Sequence, residues 1–70
     1  MDANAAIKRM MDATGTSGVS LSAAIGRDRN AVSTMFSRKS VPRVDTLAKM
    51  ARFMGYRMVL ERGGERIEIE

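Results

Sequence analysis

The sequence predicts a mainly α domain, four to five short helices followed by a C-terminal β-hairpin. Three observations carry that expectation. Apolar residues recur at helical spacing from Ile7 to Met54. Gly15, Gly26, Pro42 and Gly55 punctuate this stretch where helices end or begin. From Tyr56 the period falls from 3.6 to 2, with Gly63-Gly64 between two alternating runs.

The first helix spans Asn4 to Thr14. Ile7, Met10, Met11 and Thr14 form an i, i+3, i+4, i+7 stripe, and Lys8 and Arg9 fall off it toward solvent. Asp2 or Asn4 caps its start and Gly15 ends it. Thr16-Ser17-Gly18 leads to a second helix, capped by Ser17 or Ser20; Gly18, a poor helix former, leaves both open. Leu21 and Ile25 lie one turn apart and point inward together. Ser22 is small where another helix must approach closely.

Gly26 stands where a helix C-terminus needs a left-handed backbone. Asp28 is placed to cap the third helix by accepting from its first-turn amides. That helix runs from about Arg29 to Ser37, with Val32 and Met35 buried. Its other face, Arg29, Asn30, Ser33, Thr34 and Ser37, is short, polar and suited to the major groove of DNA.

Arg38 to Pro42 forms a loop, because Pro42 lacks a backbone donor and pushes Val41 out of helical geometry. A fourth helix follows from Val44 to about Met54, closed by Gly55. Val44, Leu47, Ala48, Ala51 and Met54 line its inner face, and Lys49 and Arg52 project outward. In the hairpin, a two-residue Gly63-Gly64 turn fixes the register. Arg62 faces Glu65, Glu61 faces Arg66, Leu60 faces Ile67, Val59 faces Glu68, Met58 faces Ile69 and Arg57 faces Glu70. Opposite charges meet in three of these six pairs and apolar side chains in two, an arrangement that supports the register. Tyr56, Met58, Leu60, Ile67 and Ile69 form a greasy face expected to pack on the helices; the other face is ionic apart from Val59. No helix follows Gly63-Gly64 to make it a phosphate cradle.

Gly18 to Ser37, with Leu21 and Ile25, then Gly26, Asp28, Val32 and Met35, resembles the helix-turn-helix of the lambda-repressor-like (Cro/repressor, XRE) family of DNA-binding domains. Pro42-Arg43-Val44-Asp45-Thr46-Leu47 looks like that family's proline-led start to a fourth helix, and Leu47, Ala48 and Ala51 sit where its core residues sit. The likeness covers roughly residues 5–60, more than a bare helix-turn-helix. It implies a lambda-repressor-like bundle: residues 1–55 as the DNA-binding domain and residues 56–70 as a hairpin for dimerisation or packing. It also implies a cytoplasmic protein of bacterial or phage type, on the nucleoid when bound. Two positions depart from the family. Gly18 stands where a polar residue, often Gln, usually contacts DNA. Arg27 replaces the apolar residue that usually follows the turn glycine, which loosens the turn or adds a phosphate contact.

Composition sets the outer bounds. Seventy residues make one small domain, a size that buries only about 60% of the unfolded surface. With neither cysteine nor histidine, disulfides and the usual zinc sites are excluded, which leaves oligomerisation as the expected support. No apolar run approaches the ~20 residues of a membrane span, and no signal-peptide pattern opens the chain. The net charge of +4 is uneven: residues 38–62 hold seven basic against two acidic residues, and residues 63–70 one against three. Alone, such a run reads as a solvated face; beside a groove-sized helix it favours a polyanion. The seven methionines read as adaptable core filler, since Met10, Met11, Met35, Met54 and Met58 fall on inward stripes. Tyr56 and Phe53 read as packing residues and Phe36 as partly exposed.

The function expected is a sequence-specific DNA-binding transcriptional regulator, a repressor that binds a palindromic operator as a homodimer through the 56–70 hairpin. Arg29 donates twice to guanine, Asn30 pairs with adenine, and Ser33, Thr34 and Ser37 bond bases. Arg27, Arg38, Lys39 and Arg43 hold the phosphate backbone. The alternative is an antitoxin subunit that binds a toxin protein and autoregulates its operon; no further toxin-binding tail follows the hairpin. An enzyme is not expected, because the carboxylates sit at caps or in hairpin pairs. No cofactor or metal is expected.

Overall fold

A computed structural model describes residues 1–70. Four helices, α1 (Ala3–Thr14), α2 (Gly18–Ala24), α3 (Ala31–Arg38) and α4 (Val44–Phe53), precede strands β1 (Met58–Arg62) and β2 (Glu65–Ile69), which pair as an antiparallel hairpin.

Short side chains set the helix starts. Ala5 N–H donates to Asp2 Oδ1 at 2.8 Å, so Asp2 rather than Asn4 caps α1. Asn4 donates instead through Nδ2 to the Ser40 carbonyl at 2.8 Å, tying the start of α1 to the loop before α4. Ser17, not Ser20, caps α2 by accepting from Ser20 N–H at 3.0 Å. The third helix begins later than its sequence suggests. Asp28 Oδ1 accepts from Asn30 N–H at 2.8 Å, and the Asp28 carbonyl accepts from Ala31 N–H at 3.0 Å. Residues 28–30 therefore turn, and α3 starts at Ala31 rather than Arg29 and runs one residue past Ser37. Asp28 caps that entry turn.

Helix ends follow one pattern. At the end of α2, Arg27 N–H donates to the Ser22 carbonyl and Gly26 N–H to the Ala23 carbonyl, both at 3.0 Å. This pair of bonds places one residue in the left-handed region, and Gly26 takes it at φ 72°. At the end of α3 the same bonds form, Ser40 N–H to Met35 carbonyl at 3.1 Å and Lys39 N–H to Phe36 carbonyl at 3.2 Å. Here the left-handed residue is Lys39, φ 55°, alone among the non-glycine residues.

Ile7, Leu21, Val32, Met50 and Met54 form the buried core, with Met10, Met11, Ile25, Met35, Phe36 and Leu47 packed against it. Burying such side chains contributes roughly 1.5–3 kcal/mol each, and this core draws on all four helices. Some expected inward positions are corrected. Val44 is 57% exposed and Met50, unmarked in the sequence, is buried. The inner face of α4 is Leu47, Ala48, Met50, Ala51 and Met54, and Val44 lies a turn before it. Thr14 is exposed, its hydroxyl donating to the Met10 carbonyl at 2.7 Å. Phe53, off the α4 stripe, and Tyr56, in the link to β1, are exposed rather than packed.

The hairpin keeps the expected register in five pairs, Met58 with Ile69 through Arg62 with Glu65. The sixth, Arg57 with Glu70, lies outside the strands; Arg57 Nη1 meets Glu68 Oε1 diagonally at 3.7 Å. Glu61 Oε2 and Arg66 Nε stand 2.8 Å apart. The greasy face does not pack on the helices as expected. Met58 and Ile69 at its base are half-buried, but Leu60 and Ile67 are 56% and 52% exposed. A five-residue strand runs about 17 Å, and the hairpin meets the helices chiefly through β1 on α4. Its outer half therefore stands clear, and the molecule measures 39 × 21 × 21 Å. No helix is long and apolar enough to cross a membrane.

Candidate nucleic-acid interface

Ser22 fixes how α2 meets α3. It is fully buried; its hydroxyl donates to the Gly18 carbonyl at 2.7 Å and accepts from Val32 N–H at 3.0 Å. The Val32 amide belongs to the first turn of α3, where a helix has no internal acceptor to offer. One hydroxyl thus joins the first turns of two helices. Beside it, a Cβ built on Gly18 would stand 4.0 Å from the Val32 side chain, an ordinary contact.

With its start pinned, α3 turns Asn30, Ser33 and Ser37 outward at i, i+3, i+7 spacing, all exposed, and Arg29 lies exposed in the turn ahead of them. The main chain of Asn30 carries the local bonds: its carbonyl accepts from Thr34 N–H at 2.9 Å and from the Ser33 hydroxyl at 3.1 Å. Its carboxamide caps nothing. Donor and acceptor both remain for a partner, as pairing with adenine requires. Ser33 has committed its proton and offers lone pairs. Eight residues of helix extend about 12 Å, close to the width of the major groove at about 12 Å.

Thr34 separates from this stripe. With Arg27, Arg38 and Arg43 it lines a cleft of about 410 Å³ between α3 and the loop into α4, floored by Val32, Met35 and Met50. Three guanidiniums and a hydroxyl around one cleft suit an anionic oxygen cluster such as a phosphodiester. Asp28 also lines the cleft, one of its oxygens already accepting from Asn30 N–H. Arg27, Arg29, Arg38 and Lys39 form no ion pair, and Arg43 Nε approaches Asp45 Oδ1 at 3.4 Å with both side chains mostly exposed. A pair so exposed is worth little and exchanges readily for phosphate.

The structure thus brings Asn30, Ser33 and Ser37 onto one stripe with Arg29 at its head, and gathers Arg27, Thr34, Arg38 and Arg43 at one cleft. Lys39 follows Arg38 and is held in a strained left-handed turn. Two positioning residues are legible only in three dimensions. The sequence marks Ser22 for its size and Asn4 as a candidate cap, yet Ser22 pins the helix pair and Asn4 anchors the loop carrying Lys39 and Arg43. No cluster of His, Cys, Asp or Glu is arranged to hold a metal ion. No family model, curated protein or solved structure matches the chain.

Proposed function

We propose that this protein is a sequence-specific DNA-binding regulator of the lambda-repressor-like kind, a repressor that binds a palindromic operator as a dimer. The observation that carries the reading is the outward face of α3. It is a helix pinned at its start, with Arg29, Asn30 and Ser37 making no internal side-chain bonds, flanked by unpaired cations. In this docking mode the N-terminal residues of the second helix meet base edges. Arg29 donates to guanine, Asn30 pairs with adenine, and Ser33 and Ser37 accept from or donate to neighbouring edges. Thr34, Arg27, Arg38 and Arg43 around the cleft, with Lys39 beside them, hold the phosphate backbone and supply the salt-dependent share of affinity.

Selection of bound duplexes from a random pool tests this reading. It should enrich a two-fold symmetric site with half-sites about 10 bp apart or a multiple of that. A pool that retains no preferred sequence after repeated rounds would contradict it. The exposed hydrophobics Leu60 and Ile67 favour a second reading, an antitoxin subunit that seats a toxin protein on the hairpin. A protein encoded beside this chain that co-purifies with it and occludes Ile67 would support that alternative.

A further inference from the structure

We infer that two copies of this chain join through the outer edge of β2, forming a four-stranded antiparallel sheet in the order β1, β2, the partner's β2, the partner's β1. An isolated two-stranded hairpin is marginal in water, and here Leu60 and Ile67 remain more than half exposed. The register determines which backbone groups are free. In a two-residue hairpin the residues flanking the turn exchange both main-chain bonds, and the pattern alternates from there. Arg62 with Glu65, Leu60 with Ile67 and Met58 with Ile69 are then the bonded pairs. Arg66 and Glu68 direct their amides and carbonyls away from β1.

A two-fold axis through Ile67 uses those free groups. Arg66 faces the partner's Glu68, and Glu68 faces the partner's Arg66, as the two bonded positions of the new ladder. Ile67 packs on the partner's Ile67 at the closer, non-bonded position between them. The ionic face gains two opposite-charge pairs and the apolar face becomes continuous from Leu60 through both Ile67 side chains. Only the outermost positions are mixed, with Glu65 beside the partner's Ile69, and Glu65 keeps Arg62 at 3.5 Å within its own hairpin. The neighbouring registers pair less well. An axis through Arg66 sets that guanidinium on its own copy and leaves Glu68 opposite the partner's Gly64. An axis through Glu68 pairs Arg66 with the partner's Glu70 but sets two carboxylates together at the centre. β1 is the strand that packs on α4, which leaves β2 as the strand farther from the helices.

This assignment does not depend on DNA binding, and its test contains no DNA. Sedimentation equilibrium of the full chain should show a monomer–dimer equilibrium. Arg66→Glu sets a carboxylate against the partner's Glu68 twice, and Glu68→Arg sets a guanidinium against the partner's Arg66 twice. Each variant alone should dimerise about tenfold more weakly. Mixed in equal amounts, the two variants meet with opposite charges at both positions and should regain wild-type association. Both positions are on the exposed hairpin, where each reversal also removes one exposed ion pair, Arg66 with Glu61 or Glu68 with Arg57. Such pairs are worth little, and circular dichroism of each variant should show the hairpin retained. A wild-type chain that stays monomeric at high micromolar concentration overturns the inference. So do single variants that dimerise as the wild type does, or a mixture that associates no better than its components.

Discussion

At the scale of single residues, Ser22 joins two helices through one buried hydroxyl. Its hydroxyl is both donor and acceptor between the first turns of α2 and α3. Ser22→Ala preserves the close approach but leaves the buried Val32 amide without a partner, a loss of about 1–3 kcal/mol. Thermal unfolding should report that loss, and DNA affinity should fall as the angle of α3 loosens. An unchanged melting temperature would show that the hydroxyl is not needed. Such a bond has no signature in sequence, since a serine and an alanine satisfy the spacing equally. Asn4 is similar: its partner, the Ser40 carbonyl, lies 36 positions away, beyond any local pattern.

At the scale of elements, the left-handed residue that closes α3 separates stability from function. Gly15, Gly26 and Gly55 occupy the left-handed position at the ends of the other helices, and Lys39 occupies it here. A residue with a Cβ costs roughly 1–2 kcal/mol in that conformation, partly offset by the greater freedom of glycine in the unfolded chain. Lys39→Gly should therefore stabilise the fold by about 0.5–1 kcal/mol. It should also weaken binding to all duplexes by one phosphate contact. The strain falls at a cation beside the cleft, where the proposed contact with phosphate would offset it. A variant with higher melting temperature and undiminished DNA affinity would remove Lys39 from the interface.

Elements were legible in the sequence wherever local chemistry decided them. The Gly63-Gly64 turn and five cross-strand pairs suffice to give the hairpin register, because a slip by one residue would turn every side chain to the wrong face. Gly26 and Gly55 end their helices where a left-handed residue is required. The start of α3 was not legible. The Asp28 side chain competes for the Asn30 amide and delays the helix to Ala31. Nor was the exposure of Leu60 and Ile67, since alternation defines a face but not what covers it. Within the candidate site, the outward stripe was readable from helical spacing. The grouping of Thr34 with Arg27, Arg38 and Arg43 was not, because it depends on how the loop into α4 folds back over α3.

At the scale of the whole molecule, Arg27, Arg29, Arg38, Lys39 and Arg43 gather around α3 and the start of α4, while half of the carboxylates lie on the hairpin. With only eight residues buried, the chain is a marginal folding unit in isolation, and a continuous sheet across two copies would add both stability and a second reading helix. The central claim is that Asn30 reads bases and Arg43 holds the backbone. Binding titrations of Asn30→Ala and Arg43→Ala on a selected operator and on random duplex, each at several salt concentrations, test it most directly. Asn30→Ala should lose about 1–3 kcal/mol on the operator and much less on random DNA, with the salt slope unchanged. Arg43→Ala should weaken both duplexes alike and flatten the slope of log K against log salt by about 0.9 per subunit. Equal, sequence-independent losses from the two variants would contradict the assignment of α3 as the reading helix.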